Sequence, residues 1–563
     1  MFSQNVNPTG SLTVSALVAA LPLLALLITL GGLKWRAHWA GAAALVIAIG
    51  AALTGYHMPF GQILDASVFG AAQGLLNILW ITVTAIWIYN LTVKTGHFAV
   101  LRRAFATISD DRRIQAIMIA FSFGALLEAL AGGGSPIAIC AVMLIALDFA
   151  PLKAATIALV ANTAPVAYGG LGTPMTVLGQ VTQMPPEQFA AMTGRQVAVL
   201  ALFVPLALVG IVDGWKGVRA VWPAALACGF TFGVFQFAFS NFVNYKLCDI
   251  FASLASAAAI ILLTKIWRPR PQRAITPAAA LAAAGQDTAG NHWPGPGSGG
   301  SGHSGQPATH DEPAEDTRRD VVLAFAPYAA VVVLFTLAQL PGISTALDLP
   351  TIIFNWPGLH VLSPAGKAVA VAYKFNWLSA TGTLLLFAGI ITAIVLRIPP
   401  WVAVRTYGQT LRQFGWAIVT VLLVFGVSYV MNLSGQISTL GIWLAQTGPF
   451  FAFLAPVVGW FGVAVTGTDA GSNALFGNLQ VTAATQLHAN PVLFASAGSS
   501  GGVMAKMISP QNLAIGTAGV RQVGMEGVLF RKVFGWSVLF LLAVCVLAYL
   551  QSTPVLGWMR VGG

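Results

Sequence analysis

Four side chains stand out in stretches otherwise built for a lipid interior. They are Glu128 in "GALLEALAGGGSP", Asp469 and Asn473 in "TGTDAGSN", and Lys506 in "AGSSGGVMAKMISPQN". A lysine at the centre of a bilayer costs roughly 2.5–3.5 kcal/mol on insertion scales, so Lys506 needs a partner. One partner is the carboxylate of a passing solute, held by the ammonium together with free backbone N–H groups. The other is a fixed acid, Glu128 or Asp469, and one lysine can use both at different stages. Glu128 is the favoured proton-coupling residue, because a buried carboxyl can hold a proton in one part of a cycle and release it in another. A structural acid paired with a base is its alternative role. Asp469 precedes Asn473 by four residues, one face of a helix. It reads as a proton relay with Glu128 or as the counter-ion of Lys506.

Lys506 and Ser509 also have the i, i+3 spacing of a Ser–Lys pair, in which a lysine activates a nucleophile. An intramembrane enzyme is therefore a competing reading, and the repeat described below argues against it. The expectation is a protein that is not an enzyme.

The elements that must position these groups are transmembrane. Of 563 residues, 57% are apolar and 8% charged, against about 25% charged in soluble domains. Mean hydropathy is +0.79. The net charge of +11 sits at the ends of apolar runs, as the positive-inside rule expects, so nucleic acid is rejected as a partner. Cys140, Cys228, Cys248 and Cys545 lack metal spacing and read as packing residues. No metal or cofactor is expected. "MFSQNVNPTG" has no positive n-region, so the first apolar run should remain as a helix rather than be cleaved.

Apolar runs recur from 11–33 to 249–267, and again from 321–340 to 532–551. They predict an all-α polytopic membrane protein with about 12–14 transmembrane helices. The basic residues of 94–113 place that loop in the cytoplasm and the N-terminus outside. Residues 268–320 are rich in Gly, Pro and Ser and read as a disordered cytoplasmic linker. That divides the chain into a first transmembrane repeat (1–267), the linker (268–320) and a second repeat (321–563).

The two halves resemble each other in register. "IYNLTVKTG" and "SYVMNLSG" end 339 residues apart, "GALLEALAGGGSP" and "GVAVTGTDAGSN" start 338 apart, and the segments from Ala150 and Asn490 lie 340 apart. The basic 94–113 loop corresponds to an uncharged one at 431–448, so the repeats should have inverted topology. Such repeats with broken or re-entrant helices mark secondary transporters, whose substrate binds where the breaks meet. Four glycine-rich segments are the expected cavity-lining breaks: "AGGGSP" (131–136), "ANTAPVAYGGLGTP" (161–174), "TGTDAGSN" (466–473) and "AGSSGGV" (497–503). Close helix packing explains the glycines equally well but not the charges beside them.

Here the chain resembles the bacterial L-lactate permease family, whose members carry lactate and glycolate with protons. "NTAPVAYGGLGTP" looks like the family's NTAPVAFG stretch, "TGTDAGSNALFGNLQ" like TGSDxxSNALF, and "GGVMAKMISPQN" like GGVxGKMISPQ. "FNWLSATGT" (375–383) is similar to FDWFSATGT. The family's EGxxGFGxP stretch is altered, with Ala129 and Gly133 replacing a glycine and a phenylalanine, and Asn376 stands for the usual Asp. The resemblance implies symport of a small monocarboxylate (L-lactate, D-lactate or glycolate) with protons.

A hydroxyl beside a carboxylate suits neutral donors and acceptors. Beside Lys506, the expected substrate-binding set is Asn162, Asn473, Ser135, Thr163, Thr468, Ser472, Ser509, Gln511, Gly132, Gly133 and Gly134. Each of these side chains also fits a helix cap or an interhelical bond. Sodium coupling through backbone carbonyls of the breaks is the alternative within the same architecture.

Overall fold

The computed structural model describes residues 2–29, 33, 35–100, 109, 111–131, 134–145, 147–267, 269, 317–338, 340–364, 366, 368–369, 371–520, 522 and 525–562. Nearly all of it is helix. Among the described residues, seven helices are long and apolar enough to cross a membrane, or nine if two bent pairs each count as one crossing. Four apolar helices are shorter. Fewer uninterrupted crossings result than the expected 12–14, because the breaks divide several crossings into half-helices.

In the first half, the site is carried by α1 (Arg112–Leu130), α2 (Ser135–Ile145), α3 (Pro151–Ala161), α4 (Gly169–Thr182), α5 (Val204–Ala238) and α6 (Cys248–Ile266). The second half supplies α7 (Pro400–Ser434), α8 (Phe451–Thr466), α9 (Asp469–Gln486), α10 (Pro491–Ala505), α11 (Pro510–Gly519) and α12 (Glu526–Ser552). Small strands are also present among the described residues. Phe2–Ser3 pairs with Val361–Leu362, and Ile352–Asn355 pairs with Ala372–Phe375. Most of the 268–320 linker lies outside the described residues. Its last residues open a helix at Arg318, capped reciprocally by Thr317 and Asp320.

The breaks recur in the same order in both halves. α1 and α2 are separated at 131–135, as α8 and α9 are at Gly467–Thr468. The α3–α4 crossing bends by 62° at its break, and α10 passes into α11 through Lys506–Ser509. Two of these pairs fold back as hairpins. Arg112 Nη2 donates to the Leu147 carbonyl at 2.6 Å, so α2 returns to the end where α1 began. Phe451, at the start of α8, packs on Phe494, just after α9 ends, with ring centroids 5.5 Å apart.

The two hairpins enter from opposite ends, and α12 is the ruler. Its 27 residues span about 40 Å. Near its start, Lys532 lies within electrostatic reach of Lys153, on which Arg112 and Asp213 also act. Beyond its far end, the Val561 carbonyl accepts from Asn490 Nδ2 at 2.9 Å, just after α9 ends. Packing is reciprocal as well: α4 lies against α9, and α2 against α11. Each half thus lays a broken element against one of the other half.

One expected break is helical. Residues 497–503 lie inside α10, and their glycines serve contact with α8. A Cβ on Gly459 would stand 1.8 Å from the Gly498 carbonyl oxygen, and one on Gly501 would stand 2.2 Å from that of Pro456. The interruption falls just beyond, where Pro510 removes an N–H and Ser509 takes an extended conformation (φ −65°, ψ 138°).

Candidate functional site

Tertiary structure answers what sequence left open about Lys506. Its Nζ lies 2.6 Å from Glu128 Oε1, with about 3% of each side chain exposed. Glu128 is carried by α1 just before the first break, Lys506 follows α10 in the last, and 378 residues separate them. Asn162, at the C-terminal cap of α3, donates to the other carboxylate oxygen, Oε2, at 3.0 Å. Three breaks thus converge on one carboxylate. Each charge is stable out of water only while the other stays. Gly169 permits this approach, since a methyl group there would sit 2.7 Å from Glu128 Oε1.

Asp469 opens α9 with Thr468 as its N-cap, the Thr468 hydroxyl accepting from the Gly471 amide at 3.1 Å. Ser499 donates to Asp469 Oδ2 at 2.6 Å, and Oδ1 has no hydrogen-bond partner among the described residues. First-turn placement suits a carboxylate, because free N–H groups and the helix dipole face it.

A cavity of about 560 Å³ joins these groups. Glu128, Gly169, Gly170, Thr173, Thr466, Thr468, Asp469, Lys506 and Gln511 line its polar side. The other wall is an apolar face of α7, including Phe414, Trp416, Thr420, Val421 and Phe425. At one end stand Arg36 and His38, the His38 ring stacked on Trp416 with centroids 4.2 Å apart. The volume lies within the ordinary range for small-molecule sites. It combines a cation, two carboxylates and several neutral hydrogen-bonding groups against a greasy wall.

Not all expected residues reach this space. Asn473 donates to the Pro174 carbonyl (3.2 Å) and to Ser499 Oγ (3.1 Å), bracing Asp469 from behind. Ser472 is turned to the Gly459 carbonyl at 3.1 Å, and the Thr163 hydroxyl to that of Val160. Ser509 donates to the Lys506 carbonyl and caps α11, accepting from the Asn512 amide at 3.3 Å. That engages the hydroxyl of the supposed Ser–Lys pair, while the lysine amine faces Glu128. Gly134 takes φ +90° at the hairpin tip, and Ser135 opens α2. Gly132 and Gly133 lie outside the described residues.

Several contributors were not read from sequence. Asn512 Nδ2 ties together the Gly467, Lys506 and Ser509 oxygens at 3.1, 3.1 and 2.8 Å, stapling the third break to the fourth. It stands in the "SPQN" motif next to the selected Gln511 and was detectable there. The α7 wall carried no such signal, because apolar residues facing a cavity look like those facing lipid.

Comparison with known proteins adds to this geometry. Residues 15–555 match the L-lactate permease family. The chain belongs to that family. It is 37% identical to the Glycolate permease GlcA of Escherichia coli (strain K12), over 99% of each chain. To the L-lactate permease of Salmonella typhi it is 37% identical, again over 99% of each, and to that of Bacillus subtilis (strain 168) 36%, over 98% of each. As a family member it is a multi-pass membrane permease, and the altered glycine motif around Ala129 falls within the matched region.

Proposed function

We propose that the chain imports L-lactate and related 2-hydroxymonocarboxylates, D-lactate and glycolate among them, by proton symport. The observation that carries this reading is the buried Glu128–Lys506 pair facing a cavity at the meeting point of both halves. A substrate carboxylate can take the place of the Glu128 carboxylate on Lys506. Glu128 then stays buried without its ion partner, which is strongly unfavourable unless it takes up a proton. Binding of the anion and uptake of the proton are thereby linked. The substrate hydroxyl meets Thr173, Thr468 or Gln511, and Asp469 supplies the equivalent carboxyl of the second half.

Orientation follows from charge. The end bearing Arg36, Lys94 and Arg112 is cytoplasmic, the N-terminus is periplasmic, and the 268–320 linker joins the two repeats on the cytoplasmic side. The cavity mouth at Arg36 and His38 then makes this an inward-open state.

The test is uptake of radiolabelled L-lactate into liposomes holding the purified protein, under an imposed pH gradient and then under a sodium gradient at fixed pH. Proton-driven accumulation lost in Glu128→Gln is the expected result. Accumulation driven by sodium alone would overturn proton coupling.

A further inference from the structure

A third buried carboxyl lies behind the second break, away from the cavity. Asp249 is in the first turn of α6 and is 1% exposed. Among the described residues, its Oδ1 accepts one hydrogen bond, from Gln236 Nε2 of α5 at 3.3 Å, and its Oδ2 has no partner. The same Gln236 amide donates at 3.1 Å to the carbonyl of Ala164, in the middle of the break that begins at Asn162. Gln236 is itself fully buried, with Oε1 unpartnered. Asp249 is thus joined through one amide to the segment whose first residue holds Glu128.

The groups facing Asp249 are few. Cys248 adjoins it on the same helix, and Tyr168, at the end of the break, acts on it through space while its hydroxyl donates to the Ala190 carbonyl at 2.7 Å. Glu128 of α1 and Lys506, beyond α10, act on it through space. Tyr245, at the start of the same span, turns its hydroxyl to Thr176 at 3.1 Å. Cys228 of α5 lies two turns along, near Ser122 (3.6 Å), which itself bonds Ser256 at 2.8 Å. No cation forms an ion pair with Asp249 among the described residues. A buried carboxylate without one is costly, whereas the positive end of the helix dipole at the start of α6 favours the anion. These opposing influences leave its charge dependent on what its single partner does.

We propose that Asp249 is a second proton-holding residue of the transport cycle, its charge state tied to the position of the 162–168 break through Gln236. Movement of the break pulls the Ala164 carbonyl from Gln236 and frees that amide to solvate an Asp249 carboxylate. The proton passes from Asp249 Oδ2, through water admitted by the moving break, to the carboxylate of Glu128. One acid becomes a carboxylate and the other an acid, so total charge is unchanged. The proposal rests on proton symport as the activity.

The experiment compares wild type with Asp249→Asn in liposomes by two readouts. The first is L-lactate accumulation under a pH gradient, and the second is exchange of internal for external lactate at equal pH. Asn is isosteric and can still accept from Gln236. The expected variant exchanges at a rate within about twofold of wild type but accumulates at least about tenfold less, with a flattened pH profile. Accumulation with the wild-type pH profile would overturn the proposal, as would equal loss of both readouts in a protein with unchanged melting temperature. Should Asp249→Asn fail to fold, Asp249→Glu replaces it. That variant should remain coupled with a displaced pH midpoint, and an unmoved midpoint overturns the proposal. Failure of proton symport itself would be visible in the wild type, as lactate accumulation indifferent to the pH gradient.

Discussion

Removing either member of the Glu128–Lys506 pair leaves a charge with about 3% of its side chain exposed and its ion partner gone. Breaking a buried pair costs on the order of 3–5 kcal/mol, whereas replacing both members by apolar or neutral residues of similar volume is often close to neutral. Glu128→Gln and Lys506→Met should therefore each lower the melting temperature in detergent, and the double variant should recover most of the loss. Additive losses would show that the pair does not hold the two breaks together. Gly169 gives a second prediction. Its Cβ would meet Glu128 Oε1 at 2.7 Å, so Gly169→Ala must push the carboxylate off Lys506 or shift the break. Overpacking of this kind costs about 1–3 kcal/mol, and lactate transport should fall far more than protein yield. Normal transport kinetics in Gly169→Ala would mean that the pair tolerates displacement.

At the scale of elements, α8 and α10 touch backbone to backbone. Gly459→Ala places a methyl group 1.8 Å from the Gly498 oxygen and forces the helices apart, while Gly535, within α12, has nothing within 4 Å of its Cβ position. Gly459→Ala should cut the yield of folded protein sharply. Gly535→Ala should leave it unchanged or raise stability by up to about 1 kcal/mol through helix propensity. Similar melting temperatures for the two variants would count against close packing at this contact. The same contact explains what was and was not legible in sequence. Glycine serves both packing and chain reversal, so "AGSSGGV" reads like a break although it is helix. At Gly467 a left-handed φ of +76° marks a true interruption. Charges were the better guide: Glu128, Asp469 and Lys506 all border the cavity. Neutral residues misled more often, since Thr163, Ser472 and Ser509 satisfy local carbonyls or caps. Asp249 escaped notice because a single acid at the start of a span looks like a first-turn residue favoured by the helix dipole.

The whole molecule is organised by the exchange in which α4 packs on α9 and α2 on α11. Each contact joins the two halves, so the four broken elements form one body around the Glu128–Lys506 pair. On the opposite side of the cavity, α7 presents a largely apolar face from Phe414 to Phe425, the kind of surface along which a body can slide, and beyond it Ser428 and Asn432 bond to Ala474 and Asn478 of α9. Alternating access then needs motion of that body against α7 on one side and against α5 on the other, and none within it. Cross-links can separate these cases. A Cβ at Gly519 would lie 3.1 Å from Ala138 Cβ, close to the spacing that a disulfide requires, so Ala138→Cys with Gly519→Cys should bridge α2 and α11. The four native cysteines are buried and unpaired, which keeps the background low. Lactate exchange should survive that bridge. Thr420→Cys on α7 with Thr466→Cys on α8, joined by a bifunctional thiol reagent across the cavity, should stop exchange until a cleavable linker is cut. Inhibition by the first bridge and tolerance of the second would place the moving boundary inside the inverted repeat instead of along α7.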